Sequence, residues 1–144
     1  MYARRQVAAL PLRRTHEGLV EVLLVTSRDT GRWIIPKGWP SKRLSDGMAA
    51  AREAWQEAGV KGKIAPEAIG SYRYVKAELG FEAIDVSVFV LEVTEEHQSW
   101  REMHQRRREW FKVTEAAAQI GEPELAELIK NFDEVSGCGP IPVP

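Results

Sequence analysis

The chain has one cysteine, no long apolar run and no surplus of either charge. Each absence excludes something. A lone Cys138, in a Gly/Pro-rich stretch, cannot form an internal disulfide, and nothing near it has the spacing of a zinc ligand cluster. No apolar run approaches the roughly 20 residues that cross a bilayer. The opening "MYARRQVAALPLRR" has too short an apolar core for a signal peptide. These absences predict a soluble, cytoplasmic protein without a membrane partner. The formal net charge is -1, which argues against a nucleic-acid partner, so an anion site must come from local placement of basic residues.

What is present fits one domain. The chain has 144 residues, enough for a layered core without staples. Residues 1–134 are expected to form one domain and 135–144 a loose tail. Val7–Leu12, Gly18–Arg28, "WIIP", two strands joined near Leu79–Gly80 and "REWFKV" read as strands. Ala83–Val93, nearly continuous in apolar residues, is expected at the centre of the sheet. "KGWPSKRLSDG" reads as a loop. "TEAAAQI", with Thr114 as N-cap, and "EPELAELIKNF" read as helices. The fold class is therefore mixed α/β.

The helix after that loop carries the chemistry. Ser45 or Asp46 suits its N-cap and Gly59 its end. Helical spacing puts Glu53, Gln56 and Glu57 in one sector. Ala50, Ala51, Ala54, Trp55 and Ala58 fall on the other side. Two carboxylates one turn apart repel. A hard divalent cation such as Mg²⁺ relieves that repulsion, because it takes carboxylate oxygens together with substrate phosphates. A plain solvated helical face is the competing reading of the helix alone.

The loop and helix together are more specific. Gly38, thirteen residues, Arg52–Glu53, three residues, Glu57, one residue and Gly59–Val60 follow one another in "GWPSKRLSDGMAAAREAWQEAGV". This resembles the Nudix box, G-x5-E-x7-R-E-U-x-E-E-x-G-U, with U a bulky aliphatic. "SRDTGRWIIPKG" and "RREWFKVTEA" are similar to flanking segments of the branch that hydrolyses diphosphoinositol and dinucleoside polyphosphates. The resemblance covers most of residues 4–132. It implies an α/β/α sandwich with a mixed sheet, box loop and helix at 38–60, and C-terminal helices.

The resemblance also implies a Mg²⁺-dependent pyrophosphohydrolase, with Mn²⁺ as an alternative cation and a small polyphosphate as substrate. Arg52, Glu53 and Glu57 match the catalytic part of the box, and Glu53, Gln56, Glu57 and the Gly38 carbonyl match its metal site. Two positions depart: Leu44 and Gln56 stand where the box has glutamates. An amide still offers a neutral oxygen but neither charge nor base. Candidates for phosphate and substrate contact are Arg4, Arg5, Ser27, Arg28, Arg32 and Lys37, with Trp39 as a stacking surface. Glu53 is the first candidate for a general base, and the loop acids Glu78, Glu82 and Asp85 follow. The "RRR" at 106–108 reads as edge protection of a strand, with Arg107 opposite its neighbours.

A dinucleoside polyphosphate and a diphosphoinositol polyphosphate both remain open as substrates. So do a 5′-triphosphorylated RNA end and a role as a catalytically weakened nucleotide-binding module. Nothing in the sequence separates a monomer from a homodimer.

Overall fold

The computed structural model describes residues 4–76 and 82–135. Glu78, the strand junction near Leu79–Gly80 and the tail with Cys138 lie outside the described residues.

Side-chain alternation builds the layers. β1 (Arg4–Arg14), β2 (Val20–Thr26) and β7 (Glu82–Glu96) are apolar on both faces, the pattern of strands covered on both sides. Val7, Ala9, Leu23, Val25, Phe89 and Leu91 gather on one face under α1 (Asp46–Ala58). Leu10, Leu12, Leu24, Val86 and Val88 gather on the other. There they meet α2 (Val113–Gln119) and α3 (Pro123–Val135) through Val113, Ala116, Leu125, Ile129 and Phe132. This is the expected α/β/α sandwich.

The sheet runs β3 (Trp33–Ile34), β2, β1, β7, β5 (Val60–Ile64). β4 (Lys37–Gly38) adds to β1, β6 (Gly70–Lys76) to β7, and β8 (Arg108–Lys112) to β2. β1 and β7 are parallel, from Arg4↔Ile84 to Leu12↔Glu92. The other pairs are antiparallel, so the sheet is mixed. β7 is central, with β1, β5 and β6 as neighbours. On its side away from β7, β1 has no register partner between β4 at Ala8 and β2 at Leu12, among the described residues. Pro11, with no N–H to donate, falls in that gap.

Two local expectations are corrected, and one strand was not anticipated. Lys37–Gly38 is not loop but a two-residue bridge to Val7 and Ala8 of β1. Val60–Ile64, directly after the helix, is a strand, although Lys61 and Lys63 interrupt its apolar pattern. Thr114 lies inside α2, whose N-cap is Lys112; the Lys112 N–H donates to Glu115 Oε1 at 3.3 Å.

Candidate active site

The site starts from two fixed ends of α1. Ser45 Oγ accepts from the Met48 N–H at 3.3 Å and starts the helix. Gly59, at φ 68°, ends it in the left-handed conformation. Between them, Glu53 and Glu57 lie one turn apart on the side facing β4. The Lys37 N–H donates to Glu57 Oε1 at 3.4 Å. At Gly38 a Cβ would lie 2.5 Å from Glu53 Cδ, so the carboxylate occupies space that only glycine leaves.

The helix faces differ from the simple division into acids and alanines. Glu57 is 5% exposed and packs on the buried side with Ala49, Ala50, Ala54 and Ala58. Ala51 and Trp55 are only half-buried. Burial pushes the Glu57 carboxyl up to about 8; Arg106 opposes this, while Glu53 and Glu102 add to it. Burial also raises Glu53, offset in part by its hydrogen bond to Glu57 and by the charge of Arg52.

The pair opens into a cavity of about 290 Å³. Four of the residues read as candidate substrate contacts, Ser27, Arg28, Lys37 and Trp39, line it together with Gly38. Ser27 Oγ also shapes its turn, accepting from the Asp29 and Thr30 N–H groups. Arg28 donates to the neutral amide of Gln105 at 3.1 Å. The Lys37 ammonium lies 4.9 Å from the Tyr74 ring centroid.

Among the lining residues, Gln6, Asp29, Ile34 and Glu102 were not read as site residues in the sequence, and Arg106 was read only as edge protection. Gln6 is buried, and its Oε1 accepts from the Tyr74 hydroxyl at 2.9 Å. Arg106 joins the two acids: its Nε lies 2.7 Å from Glu102 and its Nη2 3.8 Å from Glu57. Its Nη1 donates to Thr26 O at 3.0 Å. The edge-protection reading of "RRR" is thereby corrected. Arg106 and Arg108 are buried in bonds, while Arg107 points outward and lies 5.5 Å over Trp33. Alternation was the available signal; it separates Arg107 from its neighbours but does not say what they meet.

Other expected residues stand outside the cavity. Arg4 pairs with Glu82 at 3.0 Å and lies 5.7 Å over Trp39, at the rim. Arg5 pairs with Asp46 at 2.6 Å. Arg32 reaches the opposite layer, 3.5 Å from Glu122. Asp85 pairs with Arg73 at 2.8 Å. Glu82 and Asp85 are thus held by arginines on the strands and do not line the cavity, whose loop acids are Asp29 and Glu102. Gln56 does not line the cavity; its carbonyl accepts from the Glu102 N–H at 3.1 Å. Arg52 is exposed and lines a separate apolar cavity with Leu44, Met48 and Trp55.

The NUDIX domain model matches residues 3–132. The chain belongs to the NUDIX family. Diphosphoinositol polyphosphate phosphohydrolase 2 of Rattus norvegicus is 37% identical over 142 residues, covering 95% of this chain and 74% of that protein. Diphosphoinositol polyphosphate phosphohydrolase 3-beta of Homo sapiens is 37% identical over 134 residues, covering 90% and 77%. Among solved structures, a C. elegans Ap4A hydrolase binary complex superposes with a TM-score of 0.70 at 20% identity, covering 92% of this chain and 96% of that one. The E. coli dihydroneopterin triphosphate pyrophosphohydrolase gives 0.68 at 17%, covering 92% and 97%. These structures share the fold. The protein is a Nudix hydrolase, acting on phosphoric anhydrides, of the branch these relatives represent.

Nudix hydrolases use divalent metal ions. The residues here fit one. Two carboxyls, Glu57 buried and Glu53 half-buried, share a hydrogen bond where burial raises both, and a cation relieves that cost. The missing Cβ at Gly38 leaves Glu53 its space. Among the described residues no three His, Cys, Asp or Glu side chains form a complete ligand group. A cation at this Nudix helix therefore needs backbone, water or substrate oxygens as well, the habit of Mg²⁺.

Proposed function

We propose that this Nudix hydrolase is a Mg²⁺-dependent pyrophosphohydrolase of dinucleoside polyphosphates. The observation that carries the reading is the pair of buried Glu57 and half-buried Glu53 against Gly38, in a cavity bordered by Arg28, Lys37 and Trp39. Glu53 and Glu57 hold the cation, with the Gly38 carbonyl as a further oxygen. When bound, the cation supplies Lewis acidity to a phosphoryl oxygen and lowers the pKa of a water. Arg28 and Lys37 bind the phosphates on the two sides of the scissile linkage. Glu102 accepts the proton of the attacking water: of the two cavity carboxylates outside the helix pair, Asp29 is exposed, whereas Glu102 is half-buried and tied to the Arg106 that faces Glu57. Arg106 holds Glu102 in place.

The exposed Trp39 ring at the mouth suits a stacked nucleobase. Arg4, Arg5 and Arg32 are already paired with acids, which leaves few cations for a ring carrying many phosphates. A diphosphoinositol polyphosphate is the second reading, favoured by the names of relatives at 37% identity.

The test is a panel of diadenosine polyphosphates, diphosphoinositol phosphates, nucleoside triphosphates and 5′-triphosphorylated RNA, with Mg²⁺ or Mn²⁺. Cation-dependent turnover of diadenosine polyphosphates that disappears in Glu57→Ala supports the reading. Turnover of the inositol substrates alone would replace it with the second. No turnover at all would leave a nucleotide-binding module.

A further inference from the structure

Four consecutive carbonyls at the end of α1 accept hydrogen bonds from one segment, residues 97–108. Gln56 O accepts from the Glu102 N–H at 3.1 Å, and Glu57 O from the Trp100 indole N–H at 3.0 Å. Ala58 O accepts from Arg108 Nη1 at 2.7 Å, and Gly59 O from the His97 N–H at 2.9 Å. The last carbonyls of a helix have no partners within it and commonly turn to water or a local cap. Here they are held by a distant part of the chain.

Trp100 and Arg108 form the plate of this contact. The Arg108 guanidinium lies 3.8 Å over the Trp100 ring centroid and also donates to His97 O at 2.7 Å. Gly59 lets the plate approach: a Cβ there would lie 2.8 Å from both Trp100 Cγ and Arg108 Nη1. A cation at this end also matches the helix dipole. The same segment carries Glu102 and Arg106, which face Glu57 across the cavity.

We propose that Trp100 and Arg108 are positioning residues, fixing the helix end that bears Glu57 against the segment that bears Glu102. The spacing of the two carboxylates is set by these bonds to the α1 backbone. This rests on the reading of Glu57 and Glu102 given above. A cap that only stabilises the helix is the competing account, and it makes a different prediction.

Trp100→Phe keeps a ring for the guanidinium but removes the N–H to Glu57 O. Arg108→Lys keeps the positive charge but not the fork that reaches both carbonyls. Steady-state hydrolysis of a diadenosine polyphosphate, Mn²⁺ binding followed by electron paramagnetic resonance, and thermal unfolding are measured for each. Misplaced catalytic groups lose rate steeply, so kcat is expected to fall about tenfold or more, with KM within about twofold. Mn²⁺ affinity is expected to fall in Trp100→Phe. A lower Tm with unchanged kcat and Mn²⁺ affinity in the folded variants would overturn the proposal in favour of a plain cap. A rise in KM alone would also overturn it. Arg108→Lys decides if Trp100→Phe does not fold. If wild-type protein hydrolyses nothing, the hydrolytic reading fails by itself. The Mn²⁺ arm still tests the positioning, and unchanged affinity in both variants would overturn it.

Discussion

Gly38 and Glu53 share one volume: the place a Cβ would take at residue 38 lies 2.5 Å from Glu53 Cδ and 2.6 Å from its Oε2. β4 cannot retreat easily, because Gly38 is in register with the buried Val7 of β1. Gly38→Ala must therefore move the Glu53 side chain. Backbone strain is not the issue, since Gly38 is not among the glycines with positive φ. The fold is expected to persist by circular dichroism, while cation-dependent kcat falls about 100-fold, as for an ångström-scale misplacement. Wild-type turnover in Gly38→Ala would show that Glu53 need not occupy this place.

Glu57 gives stability a sign against pH. The carboxyl titrates from an ordinary 4.5 to about 8 in the folded chain, chiefly through burial. Between those values the folded state holds a proton that the unfolded state has released. Stability from this group is therefore full below about pH 4.5 and is lost as pH rises through about 8. In EDTA, the wild-type Tm is expected to fall by several degrees more than that of Glu57→Gln between pH 5 and 8.5. Mg²⁺ should restore wild type most at the alkaline end and Glu57→Gln hardly at all. Parallel Tm curves for the two proteins would remove Glu57 as the source of the slope.

Arg106 is the cation that these acids depend on. Its side chain is 7% exposed, as is that of Glu57, and Glu102 is 15% exposed. Removing one partner from a buried charged cluster typically costs about 3–5 kcal/mol, because the others are left uncompensated. Arg106→Met is expected to lose that much in urea denaturation at pH 8. At pH 5 the loss should be smaller, since Glu57 can take up a proton there. An equal loss at both values would mean that the packing of the long side chain, not its charge, is what matters.

The covered strands and both ends of α1 were legible because they follow local rules. Continuous apolar runs identified the covered strands, and Gly59 marked the end of α1. Glu53, Glu57 and Gly38 were legible from the spacing of the Nudix box. What pairs with them was not. Arg106 meets Glu57 across 49 positions of sequence, and a run of three arginines looks the same whether it faces water or a carboxylate. Two of the arginines expected at the substrate lie outside the cavity for a related reason. Arg5 and Arg32 have the right charge, but their nearest acids, Asp46 and Glu122, come from other elements that no local pattern brings to them. Lys37–Gly38 looked like loop because two residues are too few for a strand pattern; its pairing to β1 is a property of the sheet.

Trp39 separates the two substrate readings. Its side chain is 44% exposed at the cavity mouth, and the Arg4 guanidinium lies 5.7 Å from its ring centroid. An exposed ring contributes little to the core, so Trp39→Ala should leave Tm within a degree or two of wild type. If a nucleobase stacks there, the loss falls on binding. Stacking of a base on an aromatic ring contributes about 1–3 kcal/mol, so KM for diadenosine polyphosphates should rise roughly 5- to 150-fold with kcat little changed. A diphosphoinositol polyphosphate has no base to stack, and its KM should hardly move. Equal effects on both substrates would point instead to Arg4, released from the ring and drawn more closely to Glu82. Arg4→Gln then distinguishes the cases: with stacking dominant it leaves the nucleotide preference intact, and with Arg4 dominant it reproduces the Trp39→Ala result.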